Sequence, residues 1–193
     1  MESLPFTVEI YPLTPERQND FLTFFEGAAF ADNPKWKSCF CQFLYVDHNT
    51  VNWQARTYAQ NRSAACERIC SSRMQGLLAY IDGTPVGWCN AAPRTMLDAF
   101  FDEPDDDQAL LGQITCFVIA KGYRRTGIAT ALLDAACSAL KAQGLTIAEA
   151  SPLADENDQA KNHFGPLHMY LKAGFHVHKP LDDGNILVRK HLT

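Results

Sequence analysis

Gln113-Ile114-Thr115-Cys116-Phe117-Val118-Ile119, the loop Ala120-Lys121-Gly122-Tyr123-Arg124-Arg125-Thr126-Gly127 and the segment Ile128-Ala129-Thr130-Ala131-Leu132-Leu133-Asp134-Ala135-Ala136-Cys137-Ser138-Ala139-Leu140 follow one another without a break. The first is apolar enough for a central strand. In the last, apolar side chains recur at 128, 132, 135, 136, 139 and 140, the spacing of a helix. Leu145 to Ala150 reads as a further strand. Two strands joined by one helix predict a parallel βαβ unit with a right-handed crossover.

On the amino-terminal side, Phe6-Thr7-Val8-Glu9-Ile10-Tyr11 alternates as a half-buried strand does. Thr14-Pro15-Glu16 opens a helix expected to reach about Phe30, and a second helical region is expected from about Val51 to Arg73 with a break near Asn61. Gly76 to Ile81 and Val86 to Ala91 flank Asp82-Gly83, a hairpin signal because both residues tolerate positive φ. Asp102 to Asp107 is an acidic surface loop. On the carboxyl-terminal side, Gly165 to Gly174 reads as a short helix, with strands at Phe175–His178 and Ile186–Lys190 around a turn at Asp182-Asp183-Gly184. The sum is an α/β fold: a mixed, mostly antiparallel sheet of about seven strands with a central parallel βαβ unit and helices on both faces. No repeat or linker divides the chain, so residues 1–193 read as a single domain.

Composition narrows the function. With 193 residues, 47% hydrophobic, the chain is long enough to fold without disulfides or a structural metal. A net charge of −5 and a pI near 5.6 argue against nucleic acid as partner. No run approaches the roughly 20 apolar residues of a membrane span. Met1-Glu2-Ser3-Leu4-Pro5 lacks a basic segment and an apolar run, so a cytoplasmic location is expected. The 7 cysteines are an odd number, which disfavours a disulfide framework. Cys39-x-Cys41 and Cys66-x-x-x-Cys70 offer four thiolates, but the spacing departs from the usual zinc knuckles, and packing is the favoured reading with no metal expected.

The chemistry lies in the loop. It sits between a buried strand and the amino end of a helix, where backbone N–H groups lack intrahelical partners and the dipole is positive. Gly127 lets backbone approach an anion closely, and Ala129 leaves room. Arg124 and Arg125 add charge. No Gly-Lys-Ser/Thr follows, so this is not a Walker loop, nor is it the three-glycine dinucleotide fingerprint.

Arg-x-x-Gly-x-Ala at Arg124–Ala129 resembles the pyrophosphate loop of the GNAT family of acyl-CoA-dependent N-acetyltransferases. The strand before it, the Ala/Leu-rich helix after it and the ending Tyr170-Leu171-Lys172-Ala173-Gly174-Phe175 are similar to that family's order of motifs, over about Gly76 to Arg189. The resemblance implies acetyl-CoA as acyl-donor co-substrate, a small-molecule amine as acceptor, and direct attack of the amine on the thioester. It implies that backbone groups of Phe117, Val118 and Ile119 pair with the pantetheine arm. Amides from Arg125 through Thr126, Gly127, Ile128, Ala129 and Thr130 would then cradle the pyrophosphate. Many relatives pair as dimers, so a homodimer is expected by resemblance. A non-catalytic acyl-CoA-binding or regulatory module on the same fold is the alternative.

Tyr170 matches the family's acid position, and a phenol is protonated at neutral pH; its other reading is simple packing. Many relatives carry an asparagine where this chain has His163, with Asn162 beside it as the candidate cofactor contact. Glu149 is the candidate base, acting through water, and is otherwise an exposed strand residue. Trp36, Cys39 and Cys41, with nearby Phe40, Phe43, Tyr45 and Trp53, either line an apolar acceptor pocket or cover one end of the sheet.

Overall fold

The structure is a computed structural model that describes residues 7–100, 107–154, 162–182 and 184–193. The acidic run 102–106, Asp155, Glu156 and Asn157 lie outside the described residues. The sheet runs β1 (Glu9–Pro12), β2 (Gly76–Ile81), β3 (Thr84–Pro93), β4 (Leu111–Ile119), β5 (Ile147–Ala150), β6 (His176–Pro180) and β7 (Ile186–His191). Its 7 strands lie in the order β1-β2-β3-β4-β5-β7-β6. Only β4 and β5 are parallel among these neighbours, joined by helix α3 (Ile128–Ala142), as the sequence predicts.

Strand alternation sorts the core into two layers. Leu77, Ala79, Ile81 and Cys89 face α3 and the short α4 (Leu167–Lys172). Leu78, Tyr80 and Trp88 face α1 (Gln18–Glu26) and α2 (Tyr58–Cys70). Phe21 meets Trp88 edge-on at 5.0 Å between centroids and stacks on Phe25 at 4.2 Å.

Two helices differ from the expected bounds. The first ends at Glu26, where Gly27 takes φ −119°, ψ −104° and interrupts the helical path. The second begins at Tyr58, because Thr57 and Gln60 form a reciprocal capping box. Asn61 does not break it: its Nδ2 donates to the Ser38 carbonyl at 2.9 Å and its Oδ1 accepts from Arg56 Nε at 2.6 Å.

One irregularity in β4 matters more. Asn90 on β3 pairs with Cys116, but the next residue, Ala91, pairs with Ile114. Thr115 is therefore an extra residue, a β-bulge, and Ile114 and Phe117 both face the α3 layer. The pairing of β4 with β5 covers only Leu111↔Ile147, Gly112↔Ala148 and Gln113↔Glu149. Beyond Gln113 the strands part while β4 continues to Ile119.

The bulge is held by a polar chain. Thr115 Oγ1 donates to Asn90 Oδ1 at 3.0 Å, and Asn90 Nδ2 donates to Tyr45 Oη at 2.9 Å and to the Gln75 carbonyl at 3.1 Å. Arg68 of α2 holds the other side of this loop, donating to the Tyr45 carbonyl at 2.8 Å and to Gln42 Oε1 at 2.7 Å. Asn90 is buried, so Asn90→Ala takes the acceptor from the Thr115 hydroxyl and the side-chain donor from the Gln75 carbonyl, while the Tyr45 hydroxyl keeps the Gln75 N–H. We expect it to lower stability by about 2–6 kcal/mol, one to three for each group left unsatisfied, read as a reduced urea midpoint.

Candidate active site

The parting strands open a cleft of about 1910 Å³. One wall is the amino-terminal segment carrying Phe30, Asp32, Trp36, Cys39 and Cys41; the floor is β4; the opposite wall is formed by His163 to Pro166. Trp36 and His163 meet across it with centroids 5.2 Å apart.

At one end lies the expected anion loop. Gly127 caps α3 with φ +91°, a left-handed conformation suited to glycine. Ala131 N–H makes the first bond back, to the Gly127 carbonyl at 3.0 Å, so the amides of Ile128, Ala129 and Thr130 precede the helical ladder. Gly127, Ile128, Ala129 and Thr130 line the cleft with Phe117, Val118 and Ile119. Thr126 does not; its Oγ1 donates to the Tyr123 carbonyl at 2.6 Å. These features fit a pyrophosphate: unpaired amides at a helix start, a left-handed glycine, and strand backbone on β4 left open where β5 departs.

The two arginines divide their tasks. Arg124 clamps Asp32 bidentately at 2.7 and 2.9 Å, and its Nε donates to the Ile119 carbonyl at 3.0 Å. The guanidinium hydrogen bonds hold the Asp32 carboxyl below its usual range. Arg124 thus ties the amino-terminal wall to the anion loop. Arg125, at φ +60° and exposed, carries no ion pair among the described residues and is the free charge.

Glu149 is neither exposed nor free. It is 0% exposed, its Oε1 accepts from Arg94 Nη1 at 2.7 Å and its Oε2 from Arg189 Nε at 2.7 Å. An outward-facing strand carboxylate was one expectation; the register opposite Arg189 and the return of Arg94 after β3 turn it inward instead. Both oxygens already hold guanidiniums, so a base role needs one of them to be displaced.

Tyr170 lies behind the cleft wall and does not line it. Its hydroxyl donates to the Phe164 carbonyl at 2.6 Å, and its ring packs edge-on against Phe117 and Phe175. Burial raises its pKa well above that of a free phenol, so it stays protonated. Gly165 separates it from the cleft: a Cβ there would meet Met169 Cε at 2.8 Å and Tyr170 Cε2 at 3.4 Å. Asn162 opens the same turn, and its side chain lies outside the described residues.

The cysteine wall is tightly built. Phe40 and Cys41 both take positive φ, 45° and 57°, which is costly for side-chain-bearing residues. Trp88 Nε1 donates to Cys41 Sγ at 3.4 Å. Cys39, Cys41 and Cys116 line the cleft, whereas Cys66 and Cys70 sit on α2. No group of three or more His, Cys, Asp and Glu is set to hold a metal among the described residues. Arg94, Gln113 and Asp32 escaped the sequence reading as site residues; Arg94 and Asp32 are isolated polar residues whose partners are distant in the chain, and Gln113 reads only as part of a strand.

The Acetyltransferase (GNAT) family matches residues 38–175. The fold is that of solved acetyltransferases. One GNAT acetyltransferase from Streptococcus pneumoniae is 16% identical, with 97% of this chain and 100% of that one covered and a TM-score of 0.59. The PaiA N-acetyltransferase of Thermoplasma acidophilum, in complex with coenzyme A, is 17% identical over 96% and 99% at 0.57. A Salmonella typhimurium protein with its cofactor acetyl-CoA is 11% identical over 96% and 94% at 0.57. No match appears among curated proteins. This chain belongs to the GNAT acetyltransferase family.

Burial pushes the Cys39 thiol up to about 11. A raised thiol pKa keeps the protonated, unreactive form until the pH nears that value. At pH 8 the Cys39 thiolate is about 100-fold scarcer than at a thiol with its ordinary value. Iodoacetamide followed by peptide mapping should label exposed Cys70 before Cys39.

Proposed function

We propose that this protein transfers the acetyl group of acetyl-CoA to a primary amine of a small molecule by direct attack. The observation that carries the reading is the parting of β4 from β5 beside an amide-lined helix start. Acetyl-CoA, when bound, supplies an acyl thioester.

The chain's own groups do the rest. Amides from Arg125 to Thr130 hold the pyrophosphate, and Arg125 adds a charge that Arg124, engaged by Asp32, does not. Backbone groups of Phe117, Val118 and Ile119 on the open side of β4 bind the pantetheine arm as a partner strand would. A backbone N–H in this stretch polarises the thioester carbonyl, where a fixed donor is most effective because charge grows there during reaction. Trp36, Cys39 and Cys41 border the acceptor and exclude water. Tyr170 is the proposed donor to the departing thiolate. In that role it exchanges the Phe164 carbonyl for the sulfur, a shift of the 162–166 turn.

Calorimetric titration with acetyl-CoA tests the loop: saturable one-site binding is expected. Gly127→Val places a β-branched residue at φ +91° and crowds the amides, so affinity should fall at least tenfold while the circular dichroism spectrum is kept. Normal affinity in that variant would refute the loop assignment.

Tyr170→Phe should lower kcat by about 100-fold, the low end of general-acid effects, with acetyl-CoA affinity unchanged. A lowered melting temperature with unaltered kcat would make Tyr170 a strut for the Phe164 turn instead.

A further inference from the structure

Where β4 and β5 part, the cleft floor holds a buried polar side chain. Gln113 is 1% exposed and lines the cleft, and its Oε1 is buried with no hydrogen-bond partner among the described residues. Two of its polar neighbours are already committed. Thr115 Oγ1 is spent on Asn90, and Glu149, which faces Gln113 across the strand pair, has both oxygens on guanidiniums. A buried carbonyl oxygen left unsatisfied destabilises the fold, and a ligand that donates to it recovers that loss.

The second observation concerns proton acceptors. The described carboxylates lining the cleft are Asp32 and Glu149, and arginines hold both. An acceptor that arrives with its amine already neutral is therefore the one this site uses best. An α-amino group beside a carbonyl titrates near 8, whereas an alkylamine of the lysine type titrates near 10.4.

Resting on the acetyl-transfer reading above, we infer that Gln113 is the acceptor-binding residue and that the acceptor is an α-amino carbonyl compound, such as an amino acid amide. With its terminal amide turned toward the cleft, Gln113 Oε1 accepts a hydrogen bond from the amine to be acylated, leaving the nitrogen lone pair for the thioester. Gln113 Nε2 donates to the carbonyl oxygen next to that amine. A carboxamide presents one acceptor and one donor side by side, which an α-amino amide matches and a simple alkylamine does not. Trp36, Phe43 and Trp53 on the facing wall give an apolar side chain its place. In the reaction the nitrogen–carbon bond forms, the carbon–sulfur bond breaks, and the amine's proton leaves with the thiol.

The test uses two probes that share a phenyl group and a primary amine, phenylalanine amide and phenethylamine, and follows release of CoA. The native protein should favour phenylalanine amide at least tenfold in kcat/KM. Gln113→Leu removes an unsatisfied polar group at similar volume, so its melting temperature should equal or exceed the native value. The same variant should keep its acetyl-CoA affinity and lose at least tenfold in kcat/KM for phenylalanine amide, with the preference between probes reduced. An unchanged preference in Gln113→Leu overturns the inference. So does normal acetyl-CoA binding with no turnover of phenylalanine amide, which leaves the loop assignment standing. Absence of acetyl-CoA binding to the native protein overturns both.

Discussion

An extra residue in one strand governs this structure. Thr115 interrupts the β3–β4 register, and two residues before it the β4–β5 pairing ends. A bulge bends and twists its strand, and a bent β4 cannot follow the shorter β5 to its end. The open edge that results is the floor of the cleft, and β4 backbone facing it lacks a strand partner, a state proteins rarely leave unanswered. The Thr115–Asn90–Tyr45 chain makes the irregularity permanent by giving the displaced side chain a fixed acceptor. Because Tyr45 belongs to the cysteine-bearing loop, the floor and one wall are set by the same bonds.

Charge within the cleft is managed by pairing. A carboxylate as buried as Glu149 persists only with compensating partners, and Arg94, just after β3, and Arg189, within β7, supply them. The Asp32–Arg124 pair does a related task at the surface, joining the wall to the anion loop. The groups without partners among the described residues are correspondingly informative: the α3 amides at one end of the cleft and the Gln113 oxygen further along the floor. Such donors suit an anion, and an oxygen of that kind suits the amine of the proposed acceptor.

The strands, the hairpin and the parallel unit were all legible from local patterns, since alternation, helical spacing and an Asp-Gly turn act over a few residues. The helix expected from about Val51 starts instead at Tyr58, because the capping box at Thr57 and Gln60 outweighs the weak polar periodicity before it. Glu149 could be placed on a strand but not on a face, because a one-residue register difference reverses the direction of every side chain. Tyr170 was legible as an aromatic at a motif position, while its bond to Phe164 depends on how the 162–166 turn packs.

By itself the sequence determined the fold class and the strand–loop–helix unit, including the glycine whose left-handed backbone opens α3. Both follow from interactions between near neighbours in the chain. The tertiary structure alone decided that Arg124 serves Asp32, that Glu149 lies between two arginines, and that Gln113 faces the cleft without a partner. Those outcomes join residues as much as 92 positions apart. No local pattern encodes such pairings; they arise when sheet order, register and one bulge bring distant side chains to a common floor.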